Sequence, residues 1–102
     1  MITGSCLYSE AEQEKIAVIV NLLKEKGIKL GYPYSSNIEN TEYRLRELRI
    51  QYKGNPYRIL YAFDAQRAAC LLIGGNKTKD KNWYEKLIPK AERLYIQHIE
   101  ST

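Results

Sequence analysis

Five cations, Arg44, Arg46, Arg49, Lys53 and Arg58, crowd residues 44–58, and Lys77, Lys79 and Lys81 follow at alternate positions further on. Arginine presents a rigid bidentate fork and lysine a mobile point charge, so a set holding both suits clamping a phosphate and neutralising it. Trp83 and Tyr84 come directly after the lysines. An indole and a phenol there can stack on bases, and a phenol hydroxyl can donate to a developing oxyanion or leaving oxygen. A plainer reading stands beside this one. Strands turn one face to water, and Lys and Arg suit that face and guard sheet edges. For the cations the pattern alone does not choose between the two readings. Trp83 reads first as an anchor for the last helix, whereas Tyr84 leans towards function.

Other chemistries find no support. The chain has no G-x-G-x-x-G, no G-x-x-x-x-G-K-[ST] and no H-E-x-x-H, and Gly74-Gly75 is too short for a nucleotide fingerprint. His98 is the sole histidine, and its place near the end of the last predicted helix reads as a surface or helix-end residue rather than a base. Cys6 and Cys70 lie far apart and outside metal-ligand spacing, so reduced thiols, no metal and no cofactor are expected.

The 102 residues suit one domain, residues 1–102, with 44% hydrophobic and 27% charged residues in an ordinary globular balance. The longest apolar run, Ala68 to Ile73, is six residues, far below the roughly 20 that span a bilayer. With no basic leader before an apolar stretch, the expected location is the cytoplasm. Charge is uneven: residues 1–42 hold four Lys/Arg against six Asp/Glu, whereas residues 43–102 hold twelve against six, which places the net +4 in the second part. Such a surplus suits a phosphate-bearing or acidic partner. Nine tyrosines against one Phe and one Trp fit either a half-wet stacking surface or ordinary strand packing.

The elements that would position these residues follow from periodicity. Ser9-Glu10-Ala11-Glu12 has the form of a capping box, and Ile16, Ile19, Val20 and Leu23 make one helical stripe closed by Gly27. Residues 31–40 read as a loop. From Arg44 the period becomes two: Leu48, Ile50 and Tyr52, a turn at Gly54-Asn55-Pro56, then Tyr57, Ile59, Tyr61 and Phe63. This is a hairpin with a basic face and a core face. Asp64 to Arg67 turns the chain into a third strand, Ala68 to Gly74, whose continuous apolar character predicts burial on both faces. After a polar loop, Pro89 divides a short turn at 82–87 from a last helix starting near residue 89. The expected fold is α+β, a three-stranded antiparallel meander carrying an N-terminal and a C-terminal helix. The loop after the third strand emerges beside the start of the second, which would bring Lys77 near Arg58.

Glu47-Leu48-Arg49-Ile50, then Tyr57-Arg58-Ile59-Leu60-Tyr61-Ala62-Phe63-Asp64, then an apolar strand ending in Gly74-Gly75-Asn76-Lys77-Thr78, resembles the HigB-type, phage-derived branch of the RelE/ParE toxin superfamily. The resemblance covers residues 9–100 in element order. It implies a RelE-like sheet and the toxin half of a type II toxin-antitoxin pair. Such toxins are endoribonucleases that cut mRNA on the ribosome by metal-independent attack of the ribose 2′-hydroxyl, and a protein antitoxin, here expected to carry a helix-turn-helix, silences them. Carried over by motif, Arg58 would bind the scissile phosphate, Lys77 would lie beside it, and Tyr84 would stack or donate. Arg49 and Lys53 would hold RNA or take part in proton transfer, with Lys79, Lys81 and Trp83 as further RNA contacts.

Two features depart from the family pattern. Members begin with a strand before the first helix, whereas here residues 1–8 contain Gly4-Ser5, so the first strand is expected to be short or missing. No histidine stands in the expected catalytic region, so lysine and arginine must carry the chemistry. Two other functions remain in view: a ParE-like gyrase inhibitor, and a non-catalytic relic that only binds antitoxin. The expected discriminator is Arg58→Ala, which should abolish growth arrest with folding retained, while Lys77→Ala should weaken it less.

Overall fold

The computed structural model describes residues 10–39, 41, 43–77 and 82–101, with the backbone alone for 10–12. The expected first strand, the capping residue Ser9, and Lys79 and Lys81 lie outside the described residues. Helix α1 (Glu10–Lys26) leads through a 3-10 turn (Gly27–Lys29) to strands β1 (Ser35–Asn37), β2 (Arg46–Tyr52), β3 (Asn55–Phe63) and β4 (Ala69–Asn76), and α2 (Trp83–Glu100) follows. The sheet is antiparallel throughout in the order β1-β2-β3-β4. Among the described residues no helix is long and apolar enough to cross a membrane.

Alternation along β2 and β3 sends side chains to two layers, one under each helix. Ile16, Ile19 and Leu23 of α1 pack on Leu48, Ile50, Tyr57, Ile59 and Tyr61. Trp83 and Ala91 of α2 pack on Leu45, Leu60 and Ala62 from the other face. Each fully buried Leu or Ile here contributes about 1.5–3 kcal/mol of transfer free energy. The expected α+β fold with flanking helices is therefore present, with each helix on its own face.

Four local features differ from the sequence-based expectation. The segment read as a loop contains β1, whose polar residues carry no alternation. Its first residue, Ser35, is fully buried, and its hydroxyl is hydrogen-bonded to the Tyr61 hydroxyl at 2.5 Å. The hairpin turn is Lys53-Gly54, both at positive φ (49° and 80°), so Asn55 and Pro56 already belong to β3. Positive φ at both positions matches the right-handed twist of the flanking strands. Burial on both faces belongs to the central strand β3, because β4 is an edge strand that is mostly half-exposed. Finally, α2 runs unbroken through Pro89. Proline removes the bond to the Glu85 carbonyl at a cost of about 3 kcal/mol. Trp83 and Leu87 before it and Ala91 and Tyr95 after it lie on one stripe against the sheet, and their shared burial offsets that cost.

Candidate functional site

The α2-facing side of the hairpin carries Glu47, Arg49 and Arg58. Arg49 and Arg58 stand directly opposite each other across β2 and β3, and Ser36 stands opposite Glu47 across β1 and β2. Like charges in that relation repel. Glu47 compensates them from two residues away: its Oε2 lies 3.4 Å from an Arg49 terminal nitrogen and its Oε1 3.6 Å from Nε of Arg58. Ser36 donates to Oε2 at 2.8 Å, and the Tyr84 hydroxyl donates to Oε1 at 2.5 Å. Glu47 and Arg58 are only 6% and 5% exposed.

The two carboxylate oxygens thus have separate tasks. Oε2 is held by β1 and by Arg49, while Oε1 receives Tyr84 and faces Arg58. At 3.6 Å the Arg58 Nε is within ion-pair range but not hydrogen-bonded, and this buried N–H has no acceptor. A terminal nitrogen of the same guanidinium donates to the Tyr57 carbonyl at 2.9 Å. An unsatisfied buried donor on a charged group is costly and marks a place where an anionic oxygen would be welcome.

Tyr84 closes the site from above. Burial first, then the hydrogen bond Tyr84 donates to Glu47 and the Glu47 charge, push the Tyr84 phenol up to about 12, with Arg58 acting in the opposite direction. Lys77 Nζ sits 5.0 Å from the centre of the Tyr84 ring, a cation–π distance, and its backbone N–H donates to Pro56 O, two residues from Arg58. Lys77 and Tyr84 therefore lie beside the Arg58 end of β3; the sequence predicts Lys77 near Arg58 and does not place Tyr84. Close approach of β4 to β3 depends on Gly74, where a Cβ would meet the Arg58 carbonyl oxygen at 2.8 Å and Ile59 Cγ1 at 3.0 Å.

The remaining predicted residues divide. Arg49 borders the site, with its side chain 30% exposed and its guanidinium 5.3 Å from the centre of the well-exposed Tyr32 ring. Lys53 is exposed in the hairpin turn, against the Tyr52 ring. Trp83 is packed in the α2 core, where its ring meets Tyr84 edge-on at 5.1 Å, so it supports Tyr84 from beneath. Arg46 points the other way and is spent on structure, donating to Tyr61 Oη, Asn37 Oδ1 and the Leu30 carbonyl. The hairpin cations thus do not share one face.

Sequence reasoning missed Glu47, Ser36 and Tyr32. For Glu47 a signal existed: it shares a strand face with Arg49, and the hairpin register puts Arg58 opposite. Ser36 and Tyr32 lie in the segment read as a loop, where no periodicity pointed to them.

A family described as "Phage derived protein Gp49-like (DUF891)" matches residues 8–96. The chain belongs to this Gp49-like family. Its relatives include two proteins of Mycobacterium tuberculosis (strain ATCC 25618 / H37Rv). One, named "Putative toxin HigB2", is 32% identical over 89 residues, covering 84% of this chain and 44% of the relative. The other, named "Putative toxin HigB3", is 40% identical over 76 residues, covering 72% of this chain and 65% of the relative. The chain thus spans less than two thirds of the length of either. No solved structure matches. The phage-derived, HigB-type resemblance read from the strand motifs is borne out. The Gp49-like match includes Glu47, Arg49, Arg58, Lys77 and Tyr84, and it ends two residues before His98.

Proposed function

We propose that this chain is the toxin half of a type II toxin-antitoxin pair and cuts mRNA on the ribosome without a metal. The names of the two relatives support the toxin reading. The nuclease reading rests on one observation: the Tyr84 hydroxyl and the Arg58 guanidinium converge on a single anionic oxygen, Oε1 of Glu47. Donors fixed around one oxyanion are what phosphate transfer requires. In this reading a phosphodiester oxygen takes the place of Oε1, and Glu47 stays held through Oε2 by Ser36 and Arg49. Arg58 and Lys77 then neutralise the crowded phosphate while the ribose 2′-hydroxyl gives its proton to a water molecule and its oxygen attacks phosphorus. The bond to the 5′-oxygen breaks, and Tyr84, still protonated near neutral pH, supplies a proton or hydrogen bond to that oxygen. Arg49 and Lys53 line the open side for the RNA backbone, and Tyr32 offers a ring for a base. Lys79 and Lys81 extend the same basic loop in sequence.

A cognate antitoxin carrying a helix-turn-helix and an acidic segment would cover this basic face. The test is inducible expression in a bacterium with growth and RNA 5′ ends followed together. Arrest with cuts inside translated codons supports the reading. Arrest without cuts would move the target to a protein such as gyrase, and a folded chain causing no arrest would leave an antitoxin-binding relic. Because Arg58 is buried against Glu47, Arg58→Ala also removes a compensating charge; Tyr84→Phe and Arg58→Lys disturb folding less and are the better probes.

A further inference from the structure

At the other end of α2, roughly 21 Å along the helix from Tyr84 at 1.5 Å per residue, three side chains of different chemistry meet. His98 Nε2 lies 3.5 Å from Asp64 Oδ2, and Cys70 Sγ lies 3.9 Å from the same oxygen. All three ligand atoms fall within 4.8 Å of one another. They come from three segments: the turn after β3, the start of β4, and the last turn of α2.

We propose that Asp64, Cys70 and His98 form a binding site for a zinc-type divalent cation. A thiolate, an imidazole and a carboxylate are the donor types that zinc takes, and two bonds of about 2.0–2.3 Å at tetrahedral angles separate ligand atoms by about 3.3–3.6 Å. The Asp64–His98 spacing already has that value, and the Cys70–Asp64 spacing needs to close by only a few tenths of an ångström. The His98 side chain is 39% exposed and able to move the remaining distance, which leaves solvent for the fourth position.

The surroundings fix the donors. Asp64 Oδ1 is occupied by the backbone N–H groups of Gln66 and Ala68, both at 2.9 Å, so Oδ2 is the oxygen turned to Cys70 and His98. Tyr95 donates to the Phe63 carbonyl at 2.9 Å and ties α2 to the same corner. A bound ion would staple the end of α2 to the β3–β4 turn. The site is independent of the nuclease reading, and sequence spacing hid it because Cys70 and His98 meet only through the fold.

The test uses the purified full chain with Co2+ as the spectroscopic probe and Zn2+ as competitor. One equivalent of Co2+ is expected to give a thiolate-to-metal absorption band that Zn2+ displaces. The band should vanish in Cys70→Ser, persist in Cys6→Ser, and require at least about 100-fold more metal in His98→Gln, more than loss of an outer-sphere partner costs. Zn2+ at a hundredfold excess over Kd should raise the melting temperature by roughly 10–20 °C in the unaltered chain and in Cys6→Ser, and not in Cys70→Ser. Absence of the band from a folded chain, its loss in Cys6→Ser, or full-affinity binding by His98→Gln would each overturn the proposal. His98→Gln keeps the test decisive should Cys70→Ser misfold.

Discussion

The Tyr84 hydroxyl, in the first turn of α2, donates to Glu47 Oε1 in β2 across 2.5 Å, joining residues 37 positions apart. This bond closes one end of the sheet and holds the only phenol that the site directs at a carboxylate among the described residues. Tyr84→Phe keeps the ring over Lys77 and removes the donor. RNA cleavage should fall by about 10²- to 10⁴-fold, the usual range for a proton donor. The melting transition should drop by the roughly 1–3 kcal/mol that an under-satisfied buried acceptor costs. Cleavage kinetics and thermal melting on one preparation separate the two effects.

The same bond sets a pH dependence. Tyr84 titrates at about 12 in the folded chain, above the usual value near 10. The native state therefore favours the protonated phenol. That contribution to stability is fully present below about pH 10 and is lost as pH rises from there through about 12. Ultraviolet titration, taken as the difference between the unaltered chain and Tyr84→Phe, should show one late-ionising phenol. Glu47→Gln should bring it down part of the way, because burial, the largest cause of the shift, remains.

Glu47 and Arg58 should be coupled energetically. Removing either alone leaves a buried charge inadequately matched and is expected to cost about 3–5 kcal/mol. In Glu47→Ala the directly opposed Arg49 and Arg58 also lose their shared counter-charge. The double replacement should cost clearly less than the sum of the singles, which a urea-unfolding cycle measures.

Gly74→Ala tests how tightly β4 must approach. A Cβ at 2.8 Å from a backbone oxygen has no flexible neighbour to push aside, so β3 and β4 must separate locally beside Arg58. A loss of about 1–3 kcal/mol is expected, with weaker cleavage from displacement of Lys77. Gly75, whose nearest added-Cβ neighbour is 3.9 Å away, is the control that should tolerate alanine better.

Tyr32→Ala separates RNA contact from chemistry. Its ring is exposed beside Arg49 and carries none of the α1 core, so stability should stay nearly constant. Single-stranded RNA should bind more weakly by about 1–3 kcal/mol, the worth of one base stack. Trp83→Ala should instead reduce the melting temperature, since that indole is packed beneath α2.

What was legible in the sequence was what repeats. The α1 stripe of Ile16, Ile19 and Leu23 and the alternation from Leu48 to Phe63 fix both core layers, and strand order alone brings Lys77 beside the start of β3. What stayed hidden depends on single long-range contacts. β1 has three polar residues and exists through pairing with β2 and the Ser35–Tyr61 bond. The β4 sequence is as apolar as a central strand, yet topology put β3 in the centre. Pro89 reads as a break because its local penalty is visible in sequence, whereas the burial on either side that outweighs it is not. Glu47 looked like part of a solvated strand face until α2 brought Tyr84 down onto it.

Strand β3 supplies Ile59 and Tyr61 to the α1 layer and Leu60 and Ala62 to the α2 layer. Neither half of the core can melt and leave the other with its floor intact. The two layers should therefore be lost in a single cooperative event, with the β3 amides exchanging with deuterium only through global opening. The proposed phosphate site, seated on Arg58 of that same strand, thereby rests on the most slowly opening segment of the chain.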